Sequence, residues 1–225
     1  MTPTRTRAPR NTLDRATVAA AALDLMDAEG AGALTIRALA KRLGVAPMAL
    51  YNHAATKEDI LAAARDHGLA RLPAADPGQG HWRDRVRAIN LAFHRALREH
   101  PSLVGLLVAR PLAGQAPIDA AEAQLRVLRE AGFDPDTAAR VHLVLLHYAL
   151  GAAGWTAPRV AGESPRTSRA ALERLPADRY PTLAALAGPL AAASHDDGQY
   201  AFGLDLLLSA VAAREPDRQL ACFGE

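Results

Sequence analysis

The chain has 225 residues, half of them hydrophobic and 22% charged, enough to bury a core in one or two domains. Its formal charge is only +2, but residues 1–71 carry ten Lys and Arg against seven Asp and Glu, and the rest carries 16 against 17. The one cysteine, Cys222, excludes a disulfide framework or a cysteine-based metal site within one chain. In chain order, the start is polar and basic, with Arg5, Arg7, Arg10 and Arg15 against Asp14 and no apolar secretory core. Such an arm reaches phosphates or a minor groove, or serves as a solubilising tail.

Every later segment reads as helix, and none alternates with a period of two. Asp14 caps a first helix to about residue 29, with Val18, Ala22, Leu25 and Met26 on one face, Leu13 and Val18 as a staple, and Gly30 as its end. Thr35 caps a second helix whose inner face is Ile36, Leu39, Ala40 and Leu43, closed by Gly44. Pro47 opens a third helix of about seven residues, and Thr56-Lys57-Glu58-Asp59 fits a capping box for a fourth. Pro73, Pro77, Gly78 and Gly80 mark a break, which divides the chain into residues 1–72 and 73–225. Further helices are expected at about 81–99, 102–110, 116–132, 136–156, 166–174, 179–193 and 197–214, with a loop over 158–165. The longest uncharged run, 141–158, is marginal for a bilayer and reads as a buried helix, so the expected location is cytoplasmic.

Residues 34–60, LTIRALAKRLGVAPMALYNHAATKEDI, combine an eight-residue helix, a glycine turn and a very short second helix. Gly44 permits the positive φ of the turn, and Ala40 is small where the helices must meet. A major groove about 12 Å wide admits one helix, so the second is the candidate reader. Arg37 is long, cationic and off the apolar face. Pro47, Met48 and Ala49 form the reading tip, Tyr51 and His53 suit phosphate oxygens, and Lys57 sits at a helix start where free N–H groups attract phosphate. With Thr35 at the cap, these are the candidate DNA-contacting residues.

This stretch resembles the TetR family of bacterial repressors, through Leu34-Thr35-Ile36-Arg37, Leu39-Ala40, Leu43-Gly44-Val45, Leu50-Tyr51-x-His53 and Thr56-Lys57. The likeness continues toward the tetracycline repressor branch through Trp82, Phe93, Arg95-Ala96-Leu97, Arg110-Pro111, Gln124-Leu125, Gly132-Phe133 and Phe202-Gly203-Leu204-Asp205-Leu206. The resemblance implies an all-α chain: an N-terminal three-helix helix-turn-helix domain and a C-terminal helical domain that binds an effector and dimerises through a four-helix bundle. The residues offer two stripes for that bundle, Val141, Leu145, Tyr148 and Ala152 on one helix and Phe202, Leu206, Ser209 and Ala213 on another. Packing of the same stripes within one subunit is the alternative.

The resemblance also implies an effector pocket, with Phe93, Arg110 and Gln124 at ligand-contacting positions; His67 and His147 join the candidate set. His67 near the domain junction is a candidate for coupling, and motion is expected to pass through 73–80. Tetracycline repressors use a metal-holding histidine before the Arg-Pro pair, whereas Leu103-Val104-Gly105-Leu106-Leu107-Val108 offers no metal ligand here. An apolar effector fits better than a magnesium-bound one. His142 and His147 lie about 140° apart around a helix, so they do not form one metal site; one reads as a packed core histidine and the other as interfacial. His81, His94 and His100 read as solvated or hydrogen-bonded, and Asp196-Asp197 as a helix-start cap. No metal site, cofactor or catalysis is expected, since the sequence holds no nucleophile elbow, P-loop, dinucleotide fingerprint or H-E-x-x-H. The reading is a ligand-responsive regulator, more a repressor than an activator, acting as a homodimer on a pseudo-palindromic operator. The competing reading is a helical interaction or small-molecule-binding protein with a degenerate reading helix, because Pro47-Met48-Ala49 is less polar than many reading tips.

Overall fold

The computed structural model describes residues 13–70, 72, 80–156 and 165–214. The basic arm at Arg5, Arg7 and Arg10, the break at Pro73, Pro77 and Gly78, most of the loop expected at 158–165, and Cys222 lie outside the described residues. Among those residues there are twelve α-helices, one short 3₁₀ turn and no strand.

Helix α1 (Arg15–Glu29) starts where Asp14 accepts the N–H of Thr17 at 2.7 Å. That bond satisfies one of the donors that a helix start leaves free, and it holds the exposed Asp14 carboxyl below its usual pKa. Val18, Ala22, Leu23 and Met26 are buried on its inner face. A 3₁₀ turn, Ala31–Ala33, leads to α2 (Ile36–Leu43), capped by Thr35, which accepts the N–H of Ala38 at 3.0 Å. Gly44 takes φ 67, the left-handed conformation that lets its N–H return to the end of α2. Helix α3 (Pro47–Tyr51) has five residues, shorter than the seven expected, and the N–H groups of His53 and Ala54 after it share the carbonyl of Leu50. Helix α4 (Lys57–Leu69) carries the complete capping box, Thr56 and Asp59 each bonding the other's backbone N–H.

The remaining helices are α5 (Trp82–Glu99), α6 (Ser102–Ala109), α7 (Gln115–Glu130), α8 (Pro135–Thr156), α9 (Pro165–Glu173), α10 (Pro181–Ala185), α11 (Ala187–Ala193) and α12 (Gln199–Ala212). The single helix expected at 179–193 is split at Leu186. Pro189 has no N–H for the carbonyl of Ala185, and its ring crowds that carbonyl, so regular helix fails one turn earlier. Helices α5, α7, α8 and α12 pack on one another, and their buried residues join those of α1 to α4 in one continuous core. Trp82 packs edge-on against Phe133 at 5.1 Å, and Arg87 holds both oxygens of Asp205 at 2.6 and 3.2 Å to join α5 to α12. Asp196 caps the turn before α12 by accepting the N–H of Gly198, while Asp197 pairs with Arg98 at 2.7 Å.

Two expectations need correction. On α8 the stripe of Val141 and Leu145 is buried inside its own subunit, in line with Ala149 and Ala153. The outward side of α8 instead shows Leu143, Val144 and Trp155, beside exposed Phe202 and Leu206 on α12. Helical periodicity places a stripe on a helix, but α8 has apolar residues on nearly every side, so the pattern could not say which face turns inward. His94 is neither solvated nor hydrogen-bonded through Nε2. It is buried, stacked on Tyr200 at 3.8 Å, and desolvation lowers its pKa to about 4. No helix among the described residues is long and apolar enough to cross a membrane.

Candidate nucleic-acid interface and interior cavity

Leu39, Ala40, Leu50 and Ile60 are buried, so the inner faces of α2, α3 and α4 are fixed against α1. What remains outside follows from that docking. Thr35, Arg37, Pro47, Met48, Tyr51 and Lys57 are exposed, and Ala49 and His53 are half-buried. Met48 is 75% exposed, which for a large apolar side chain at a helix tip leaves a contact surface without an internal partner. Lys41, Arg42 and Asn52 are also exposed on this module and were not among the candidates. Lys41 could have been read from the sequence, because it lies opposite Leu39 and Leu43 on α2. The Thr56 hydroxyl and backbone hold the Asp59 carboxyl below its usual pKa, so the capping box stays ionised at neutral pH.

In the second half, a cavity partly open to solvent lies between α5, α6, α7 and α8. Its lining, mostly apolar with a few convergent polar groups, is of the kind that small-molecule sites use. Ile89, Phe93, Leu107, Pro111 and Leu146 supply much of the apolar wall, and Asn90, Gln124 and His142 are its polar members. No lining side chain is charged. Asn90 donates through Nδ2 to the carbonyl of Val86 at 2.8 Å and to Gln124 Oε1 at 2.9 Å. That pairing fixes the Gln124 amide and leaves its Nε2 buried without a partner. His142 Nδ1 is likewise buried without a partner, and desolvation lowers its pKa. A buried polar atom left unpaired costs about 1–3 kcal/mol, and two such atoms belong to residues that line this one cavity.

Of the five candidate pocket residues, Phe93 and Gln124 line this cavity and three do not. His147 is exposed on the outside of α8; the five-residue offset turns it away, and His142 with Leu146, four apart, faces in. Arg110 is exposed because α6 stops at Ala109. Its side chain turns to Glu58 on α4 at 3.2 Å, while Pro111 beside it joins the wall. His67 lies exposed in a groove between α1 and α4 with Arg15 and Ala19.

The neighbours of His67 make the connection between the two halves. Arg65 on α4 is only 2% exposed, and it donates to the carbonyls of Leu106 at 3.3 Å and Ala113 at 3.1 Å. Asp66 accepts the N–H of Ala116 at 2.9 Å. A second tie runs from α1, where Asp27 accepts the N–H of Ser102 at 2.9 Å and meets His100 Nδ1 at 2.8 Å. The segment held by α4, Leu106 to Ala116, includes Leu107, Pro111 and Leu112 of the cavity wall. Sequence alone gave no sign of this, since an arginine on a helix surface looks the same whether it meets water or a neighbouring backbone.

Two family profiles match the chain. The profile described as "Bacterial regulatory proteins, tetR family" matches residues 18–64, and the one described as "Tetracyclin repressor-like, C-terminal domain" matches 72–214. The chain is 31% identical to the HTH-type transcriptional repressor DrrR1 of Streptomyces coeruleorubidus, over 93% of this chain and 80% of that one. It is also 31% identical to the class D tetracycline repressor of Escherichia coli, over 87% and 88%. Among solved structures, ActR of Streptomyces coelicolor in complex with actinorhodin superposes with a TM-score of 0.74 at 27% identity, over 91% of this chain and 99% of that one.

Proposed function

The chain belongs to the tetR family of bacterial regulatory proteins and is a DNA-binding transcriptional regulator, and we propose that it works as a homodimeric repressor released from its operator by a small molecule. Residues 1–72 would carry DNA binding and 73–225 effector binding and dimerisation. The observation that carries this reading is the tie from α4, which bears Lys57 at one end and Arg65 and Asp66 further on, to the segment that walls the cavity. A ligand that favours one setting of that segment also favours one setting of α4, and a coupling of about 1–3 kcal/mol is typical.

At the DNA, Arg37 and the tip Pro47-Met48-Ala49 would set sequence preference, and Thr35, Tyr51, His53 and Lys57 would hold phosphates and register. Two copies joined by the exposed faces of α8 and α12, with Leu143, Val144, Phe202 and Leu206, present two reading helices to one side of a duplex. The operator is then a pseudo-palindrome with half-sites about one turn apart.

Fluorescence-anisotropy titration against the intergenic DNA beside the protein's own gene, with scrambled duplex as control and across a salt series, tests this. Binding tighter than to scrambled duplex by roughly 10³ or more at physiological salt supports the reading. Equal, weak and steeply salt-dependent binding to both, repeated with duplexes drawn from a random operator selection, sinks it.

A further inference from the structure

Gln124 is 95% buried at the cavity wall, and its amide is held by Asn90 so that the oxygen is used and the nitrogen is not. His142 stands on the facing helix α8 with Nδ1 equally unpaired. The wall around them is apolar and uncharged. From these three facts, and resting on the reading of the chain as an effector-controlled regulator, we propose that the effector is an uncharged, mainly apolar compound with one oxygen that accepts from Gln124 Nε2 and a second polar group that pairs with His142 Nδ1.

The chemistry sets each part of that description. Gln124 Nε2 can only donate, so its complement is a carbonyl, ether or hydroxyl oxygen. Burial keeps the imidazole of His142 neutral, which lets Nδ1 either give or receive a proton; a ligand hydroxyl suits both tautomers. A carboxylate or ammonium on the ligand would enter a wall with no opposite charge to meet it, and an unpaired charge is costly in such a place. A pure hydrocarbon would fill the space and leave both nitrogens unpaired. Selectivity therefore comes from the two polar groups, and affinity from the apolar wall. His142 acts here as a specificity-determining residue alongside Gln124.

Three matched probes separate these contributions: xanthone, xanthene (a methylene in place of the carbonyl) and xanthone-2-carboxylate. Titration calorimetry on the full chain without DNA is expected to give xanthone at least about tenfold tighter binding than either of the others. In the near-isosteric Gln124→Met chain the advantage of xanthone over xanthene falls to about onefold, while xanthene itself is unchanged. If Gln124→Met does not fold, His142→Phe with 1-hydroxyxanthone against xanthone makes the parallel comparison, and the gain from the hydroxyl is lost. Equal binding of xanthone and xanthene, tighter binding of the carboxylate, or no binding of any probe overturns the proposal. Operator affinity measured on the same preparation keeps the two readings apart. A chain that binds its operator but shows no xanthone preference refutes only the effector class. A chain that shows the preference but no specific DNA binding refutes only the repressor.

Discussion

The carboxylate of Asp66 on α4 stands 2.5 Å from the point where a Cβ on Gly114 would be, and the same oxygen accepts the N–H of Ala116 at 2.9 Å. Gly114 also has φ +105, a conformation that side chains rarely adopt. Gly114→Ala should therefore cost about 2–4 kcal/mol, from backbone strain and from displacement of the carboxylate. A shift in Tm of roughly 2–4 °C per kcal/mol reads it. Asp66→Ala should cost less than that and relieve part of the Gly114→Ala penalty, so the double variant is more stable than the sum of the singles. Strict additivity would show that the two residues do not share the space.

The reading module makes a second, sharper separation possible. Arg37→Ala should cost about 1–3 kcal/mol on the operator and relax preference at one base position, since a bidentate base contact carries that much discrimination. Lys57→Ala should weaken operator and scrambled duplex alike and lower the salt slope by about 0.9, one phosphate contact. Competition anisotropy at two salt concentrations distinguishes them. Identical profiles for the two variants would contradict the assignment of base and phosphate roles.

Dimerisation can be tested where the two faces of α8 and α12 diverge. Leu206 is 58% exposed on α12, whereas Leu145 is fully buried on α8. Leu206→Glu should leave the fold intact and convert the chain to monomer by sedimentation, with loss of operator affinity. Leu145→Ala should cost about 2–5 kcal/mol of stability by leaving a cavity. A Leu206→Glu chain that remains dimeric would place the interface elsewhere.

These contrasts show where the sequence was legible. Caps and turns were read almost to the residue, because Asp14, Thr35, Gly44 and Thr56 act on backbone within four positions of themselves. The exposed module was legible for the same reason: once the buried face of a short helix is known, its other residues face out. The cavity was harder. Phe93 and Gln124 came from resemblance, while His142 was passed over for His147, although both lie on one helix and only tertiary packing decides which turns inward. Arg65 and Asp66 were missed altogether, since their partners are backbone groups 41 to 50 residues away.

The stacked pair His94 and Tyr200 gives the protein a distinct acid limb. His94 is neutral in the fold, with a pKa near 4 against an ordinary 6.5, while burial, and after it Tyr148, raises Tyr200 and keeps it protonated. A histidine with a depressed folded pKa costs nothing above about pH 6.5, because both folded and unfolded forms are then neutral. As pH falls from 6.5 toward 4, the unfolded chain takes up the proton and the folded one does not, so stability is lost across that window by about 2–3 kcal/mol. His142, also depressed by burial, adds in the same direction. The carboxylates held low, Asp14, Asp59, Asp134 and Asp205, contribute above the unfolded pKa of 3.8 and begin to lose their share only below it. The two windows therefore separate. Urea titrations from pH 8 to pH 4 should show a plateau and then a decline, and His94→Phe, which keeps a ring against Tyr200, should make the decline shallower without altering the loss below pH 4. An unchanged slope in His94→Phe would mean that His94 takes its proton in the folded state as readily as in the unfolded one.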